Sequence, residues 1–186
     1  MKATIEISAR HIHLDSDDLF TLFNTNSLPV RNYLTQKGEF ASDFTVEVVG
    51  PKNRLKKVRV LGPLRKFSQL EISRTDSYFL GLDAPLAHSG EGIGDKVRII
   101  GQKGEITKNI AMVAKRHFHC SPTFAKKHNL KAGMHLSMHI PGQRSLTLHN
   151  IFVRVADHFA DTVHIDTDEA NAADIHGVSY GTLIRS

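Results

Sequence analysis

Chemistry is most legible in the histidines, of which there are twelve in 186 residues. Imidazole is the commonest metal ligand and the usual base near neutral pH. Four histidines fall in two copies of one pattern, Arg10-His11-Ile12-His13 and Arg116-His117-Phe118-His119. On an extended strand the side chains at i and i+2 share a face, so each His-x-His sets two imidazoles side by side. Leu70-Glu71-Ile72-Ser73-Arg74-Thr75-Asp76 also matches Val163-His164-Ile165-Asp166-Thr167-Asp168, apart from one residue of slippage. Glu71 and His164 then hold equivalent places. His11, His13, Glu71, His117, His119 and His164 make six ligand-type groups, too many for one tetrahedral zinc and suited to two metal ions. Nitrogen-rich ligation makes zinc the first choice, with iron, cobalt and manganese left open.

A lone His-x-His is weak evidence, and two copies inside a duplication are much stronger. His88, His128, His135, His139, His149, His158 and His176 lack such a context and read as surface or hydrogen-bonded core residues. Cys120 follows His119 directly, so on a strand it faces the other way and reads as a small buried hydrophobe. Arg65 and Lys66 stand after the Gly62-Pro63 turn and close in sequence to Glu71. A guanidinium beside a two-metal site suits phosphate through paired hydrogen bonds. Arg10 and Arg116 read as residues that brace the site or pair with acids rather than touch substrate.

The elements that must position these groups are also written twice. An apolar segment precedes each His-x-His, and Asp15 and Ser121 follow at the same offset as helix N-cap residues. Pro122 suits the first helical position. Strands are expected at 2–8, 44–49, 58–61 and 70–73, then at 97–100, 136–140, 146–148, 151–155 and 163–165. Short helices are expected at 15–23 and from Asp166 onward, the latter with an acidic first turn. Residues 24–38 read as a polar connection. Fixed-offset self-similarity marks an internal duplication. The expected fold is therefore mainly β with short α-helices: two small related β-barrel domains. The glycine-rich 89–94 passage divides the chain into 1–90 and 91–186, with exchange of strands between the halves allowed.

Composition is that of a packed globular protein, with 40% apolar residues. No stretch is long enough to span a bilayer, and no signal segment is recognisable, so a cytoplasmic protein without membrane partners is expected. One cysteine excludes an internal disulfide framework. Net charge is +5, which favours an anionic partner. The one basic run, 52–57, carries no aromatic residue, so a nucleic-acid-binding surface is not expected.

Several ordered motifs together resemble the PduL-type phosphotransacylases, also called phosphate propanoyltransferases. They are Ser8-Ala9-Arg10-His11-Ile12-His13, Phe40-Ala41, Val49-Gly50-Pro51-Lys52, Val58-Arg59-Val60-Leu61-Gly62-Pro63, Gln69-Leu70-Glu71-Ile72-Ser73, Arg116-His117-Phe118-His119 and His164-Ile165-Asp166-Thr167-Asp168-Glu169-Ala170-Asn171. The resemblance implies reversible transfer of a short acyl group between coenzyme A and inorganic phosphate, at a two-zinc active site between two β-barrels. By matching position it implies His11, His13, Glu71, His117, His119 and His164 as ligands of two zinc ions per chain. It implies Arg65 as the phosphate-binding residue, and coenzyme A contacts near Ser8, Arg59, Leu61, His164 and Asn171. Acetyl and propanoyl groups are both expected as cargo, and a homo-oligomer is compatible. Relatives from bacterial microcompartments carry an N-terminal extension ahead of the first motif. Here Ser8 comes almost at once, which makes a free cytoplasmic enzyme the expectation. The competing reading from the residues alone is a di-metal hydrolase of a thioester or phosphorylated small molecule, because the same ligands could activate water.

Overall fold

The computed structural model describes residues 1–185 and consists of short strands with four brief helices. The chain opens with β1 (Lys2–Ser8), β2 (His11–His13), α1 (Ser16–Phe23), β3 (Val30–Tyr33), β4 (Phe40–Val49) and β5 (Arg54–Gly62). It continues with β6 (Gln69–Glu71), α2 (Arg74–Leu80), β7 (Leu86–Ala87), β8 (Asp95–Ile100) and β9 (Glu105–Ala114). Last come β10 (His117–Cys120), α3 (Pro122–His128), β11 (His135–Ile140), β12 (Leu146–Val155), β13 (Thr162–Asp166), α4 (Thr167–Ala172) and β14 (Ser179–Arg185). Among the described residues no helix is long and apolar enough to cross a membrane.

Two compact units emerge, Arg10–Ala114 and Met1–Ala9 with Lys115–Ser186. In the first, pairing runs β4-β5-β2-β6-β9-β8 and returns to β4, closing a six-stranded barrel with β3 and β7 added at its margins. In the second, β1-β13-β10-β12-β11-β14 closes in the same way. The wiring is identical. β2 lies between a parallel β5 and an antiparallel β6, and β10 between a parallel β12 and an antiparallel β13. Even a left-handed residue recurs two positions before the strand partner of the first histidine, Lys57 ahead of Arg59 and Asn150 ahead of Phe152.

The division differs from the boundary expected at 90/91. β8 and β9, which follow the glycine-rich passage, complete the first barrel, because β9 pairs in parallel with β6 and antiparallel with β8. β1, which precedes the first His-x-His, pairs in parallel with β13 of the second barrel. Each barrel thus holds the strand that leads into the other's His-x-His. Closing both sheets requires this exchange and removes the exposed edges that an open sheet would leave.

Each unit has its own core. One gathers Ile12, Leu14, Leu19, Leu22, Val60, Leu70 and Ile99, and the other Ile5, Phe118, Leu136, Met138, Ile151, Val153 and Val163. The middle residue of each His-x-His, Ile12 or Phe118, is fully buried. Strand alternation therefore aims the flanking imidazoles at the opposite face. Burial of such a side chain stabilises by roughly 1.5–3 kcal/mol, which anchors the register that positions the histidines. The N-caps fall where the sequence places them: Asp15 accepts from the Asp18 N–H and Ser121 from the Phe124 N–H. Asn24 and Asn129, both left-handed, close the same two helices.

Candidate metal centres

Strand register brings a third candidate ligand to each histidine pair. His11 faces Glu71 across the β2–β6 ladder, and His117 faces His164 across β10–β13. The ligand atoms of His11, His13 and Glu71 all lie within 4.8 Å of one another, and so do those of His117, His119 and His164. These are the only such groups among the described residues. The helix N-caps show that the repeat has no slippage here. Ser73 caps α2 two residues after Glu71, and Asp166 caps α4 two residues after His164.

In the first barrel the His11 and His13 ring centres are 5.0 Å apart and perpendicular, and His11 Nε2 lies 3.7 Å from Glu71 Oε1. Burial holds His13 well below the usual imidazole range, helped by the charges of His11 and Arg65 and opposed by Glu71. Burial alone would push the Glu71 carboxyl up. His11 and His13 and the hydrogen bonds from His11 and Ser89 outweigh it, and hold the carboxyl well below the usual range. In the second barrel His117 and His164 stack at 5.2 Å and 7°. His119 lies 4.6 Å from the His117 ring and 4.5 Å from the His164 ring. Burial, then the neighbouring His164 and His117, lowers the His119 pKa far below the ordinary value.

These side chains fit a metal. His13 Nδ1 and both ring nitrogens of His119 are buried without a hydrogen-bond partner. Such atoms are rare because a buried, unpaired polar atom is unfavourable, and a neutral imidazole with its lone pair uncommitted is a ligand in waiting. His117 Nδ1 is 2.9 Å from the Lys115 carbonyl oxygen and donates to it, the outer contact expected of an imidazole that ligates through Nε2. Two histidines with a glutamate, or three histidines, is the three-ligand set of a catalytic zinc that keeps one position for substrate.

Around Glu71 runs a network that the sequence did not disclose. Gln69 Nε2 and Ser89 Oγ each donate to Glu71 Oε1 at 2.7 Å, and the Gly90 N–H donates to Gln69 Oε1 at 2.8 Å. Arg65 joins through Nη1, which donates to Ser89 Oγ at 3.1 Å, while its Nη2 is 3.6 Å from Glu39 Oε1. The glycine-rich passage that reads as the boundary between halves thus supplies Ser89 and Gly90 to the hydrogen-bond network around Glu71. Beside the second triad, Phe159 stacks on His119 at 4.0 Å, and the Arg154 guanidinium lies 5.6 Å from the Phe159 ring. Neither residue belongs to a sequence motif. Only the pairing of Arg154 with His119 across β10–β12 brings them in.

The remaining candidates fall as follows. Arg59 and Leu61 are the β5 partners of His11 and His13. The Arg59 guanidinium donates to the Ser42 and Asp43 carbonyls at 2.9 and 3.1 Å. Ser8 ends β1 opposite Asp166. Asn171 is exposed on α4, and its carbonyl accepts from Arg144. Cys120 is fully buried, with its thiol pushed up to about 11 by burial and then Asp161, as its reading as a small hydrophobe requires.

Fold and side chains together define a duplicated β-barrel protein with one such group in each barrel, two histidines with a glutamate in the first and three histidines in the second. Comparison with known proteins gives that class a family. The family model for phosphate propanoyltransferase matches residues 4–176. The chain is 40% identical over 184 residues to a phosphate propanoyltransferase of Levilactobacillus brevis, covering 98% of this chain and 88% of that protein. It is 46% identical over 171 residues to the Escherichia fergusonii phosphate propanoyltransferase, with 90% and 81% covered. To that of Klebsiella pneumoniae it is 45% identical over 184 residues, with 97% and 88% covered. The chain belongs to the phosphate propanoyltransferase family and is a phosphate acyltransferase.

Proposed function

We propose that this protein transfers a short acyl group, acetyl or propanoyl, reversibly between coenzyme A and inorganic phosphate, with two zinc ions per chain. The observation that carries the reading is the pair of triads, His11, His13 and Glu71, all buried, in one barrel and His117, His119 and the half-buried His164 in the other. Each triad would hold one ion. Zinc so bound supplies Lewis-acid polarisation of a carbonyl and charge for a bound phosphate.

The chain's own residues do the rest. Arg65 binds phosphate through its planar fork. Ser89 fixes the guanidinium from one side and Glu39 from the other. A phosphate oxygen attacks the thioester carbonyl carbon, the carbon–sulfur bond breaks, and coenzyme A leaves as thiolate with the electron pair. Transfer is direct, without an acyl-enzyme. Cys120 is buried and is protonated near neutral pH, with its thiol held at about 11 and donating to the Ser121 carbonyl. Ser8, Arg59, Leu61 and Asn171 are assigned to coenzyme A, whose phosphates suit the net charge of +5.

Thiol release from acetyl- and propanoyl-CoA, with and without phosphate, on metal-stripped and zinc-restored protein tests this. Phosphate-dependent release that requires metal is expected. Equal release without phosphate would make the protein a thioester hydrolase instead.

A further inference from the structure

Each His-x-His is preceded by an arginine whose partner also repeats. Arg10 Nε lies 2.9 Å from Asp76 Oδ2, and Arg116 Nε lies 2.6 Å from Glu169 Oε1. The acid stands five residues after the third ligand in both barrels, Asp76 after Glu71 and Glu169 after His164. Both acids occupy the third position of the helix that the third-ligand strand runs into, and their own N–H groups donate to the N-caps Ser73 and Asp166. Glu169 completes a capping box by accepting from the Asp166 N–H with its other oxygen. Arg116 Nη1 also donates to the His149 carbonyl of β12, so one guanidinium ties β10, β12 and α4 together.

Resting on the reading of the triads as metal sites, we propose that Arg10 with Asp76 and Arg116 with Glu169 are positioning pairs, each setting the metal affinity of its own triad. The strands that bring the ligands together are very short. β2 meets β6, and β10 meets β13, over three residue pairs each. So short a ladder fixes the angle between two strands loosely. The ion pair closes the far side of the triangle, joining the start of the His-x-His strand to the helix beyond the third ligand. The Asp76 side chain is only 6% exposed and that of Glu169 17%, while the Arg10 and Arg116 side chains are 43% and 31% exposed, so each arginine reaches in from solvent to a shielded acid. Outer-shell partners that orient ligands commonly set metal affinity by roughly 10–100-fold.

Having two sites provides the control. In a His119→Ala background, where only the His11/His13/Glu71 triad remains intact, Asp76→Asn is expected to weaken zinc binding at least tenfold in chelator competition. Glu169→Gln in that background should change it less than threefold. In a His13→Ala background the two effects should exchange places. Asp76→Glu should recover most of the affinity in the first background. If Asp76→Asn does not fold, Arg10→Lys, which keeps charge but loses the Nε contact, carries the same expectation. Equal weakening of both sites by one substitution, or affinity unchanged while melting temperature falls, would overturn the proposal and leave the pairs as structural ties. A single-triad protein that binds no zinc at all would instead refute the metal reading beneath it.

Discussion

Ser89→Ala is the most informative single change, because one hydroxyl touches both Arg65, proposed to bind phosphate, and Glu71, proposed to hold a metal. It accepts from Arg65 Nη1 at 3.1 Å and from Gln69 Nε2 at 3.0 Å, and donates to Glu71 Oε1 at 2.7 Å. Hydrogen bonds to charged groups contribute about 1.5–3 kcal/mol each, with the low end appropriate where water can enter, as at this half-buried residue. Glu71 keeps the Gln69 amide, so its loss is partial. Arg65 keeps only Glu39, at 3.6 Å, so the guanidinium loses its closer side-chain anchor. A loss of about 1–1.5 kcal/mol in phosphate binding corresponds to a roughly five- to twelvefold rise in KM for phosphate. KM for acyl-CoA should move less than twofold, and zinc content should stay within one-third of wild type. Initial rates of thiol release with each substrate varied in turn measure this. An unchanged KM for phosphate together with a raised KM for acyl-CoA would refute the reasoning and move Arg65 to the other substrate.

Glu71→Gln keeps the shape and both incoming hydrogen bonds but removes the ligand charge. Zinc affinity at that triad should fall more than about tenfold, and the metal-free protein should lose stability near neutral pH, because the native carboxyl is held below its ordinary range, as titration and chemical denaturation will show. The metal-free protein should lose stability as pH falls below about 6.5, because His13 and His119 have folded pKa values lowered from that ordinary value. In that window the unfolded chain takes up protons that the folded chain refuses, so His119→Gln should flatten the acid slope in urea melts across pH. Gly50→Ala should destabilise by about 2 kcal/mol, since a Cβ there would clash with the Leu80 carbonyl oxygen and backbone would have to move. A denaturation midpoint equal to wild type would contradict that packing.

The duplication was legible because ligands, caps and braces repeat at fixed offsets, and residue type alone marks a histidine or an N-cap. Six ligand-type residues fall into two groups of three because strand pairing places Glu71 opposite His11 and His164 opposite His117. The strand exchange is a different matter. Nothing local in Lys2–Ser8 says that it pairs with β13, since a parallel partner is chosen by closure of a sheet far away in sequence. The helix Arg74–Leu80 was hidden because its polar, serine-capped start reads as a turn, and its Tyr78 and Phe79 are exposed. β3 is exposed along its whole length and has no alternation to reveal it. Ser89 and Gln69 were missed as site residues because short polar side chains in a loop signal function only once their partners are known.

The most direct measurement is the zinc content per chain of wild type, His13→Ala and His119→Ala, by native mass spectrometry on zinc-restored protein. Two ions in wild type and one in each variant are expected, with phosphate-dependent thiol release lost in both variants. A single ion in wild type, or two ions retained in either variant, would contradict a separate metal centre in each barrel.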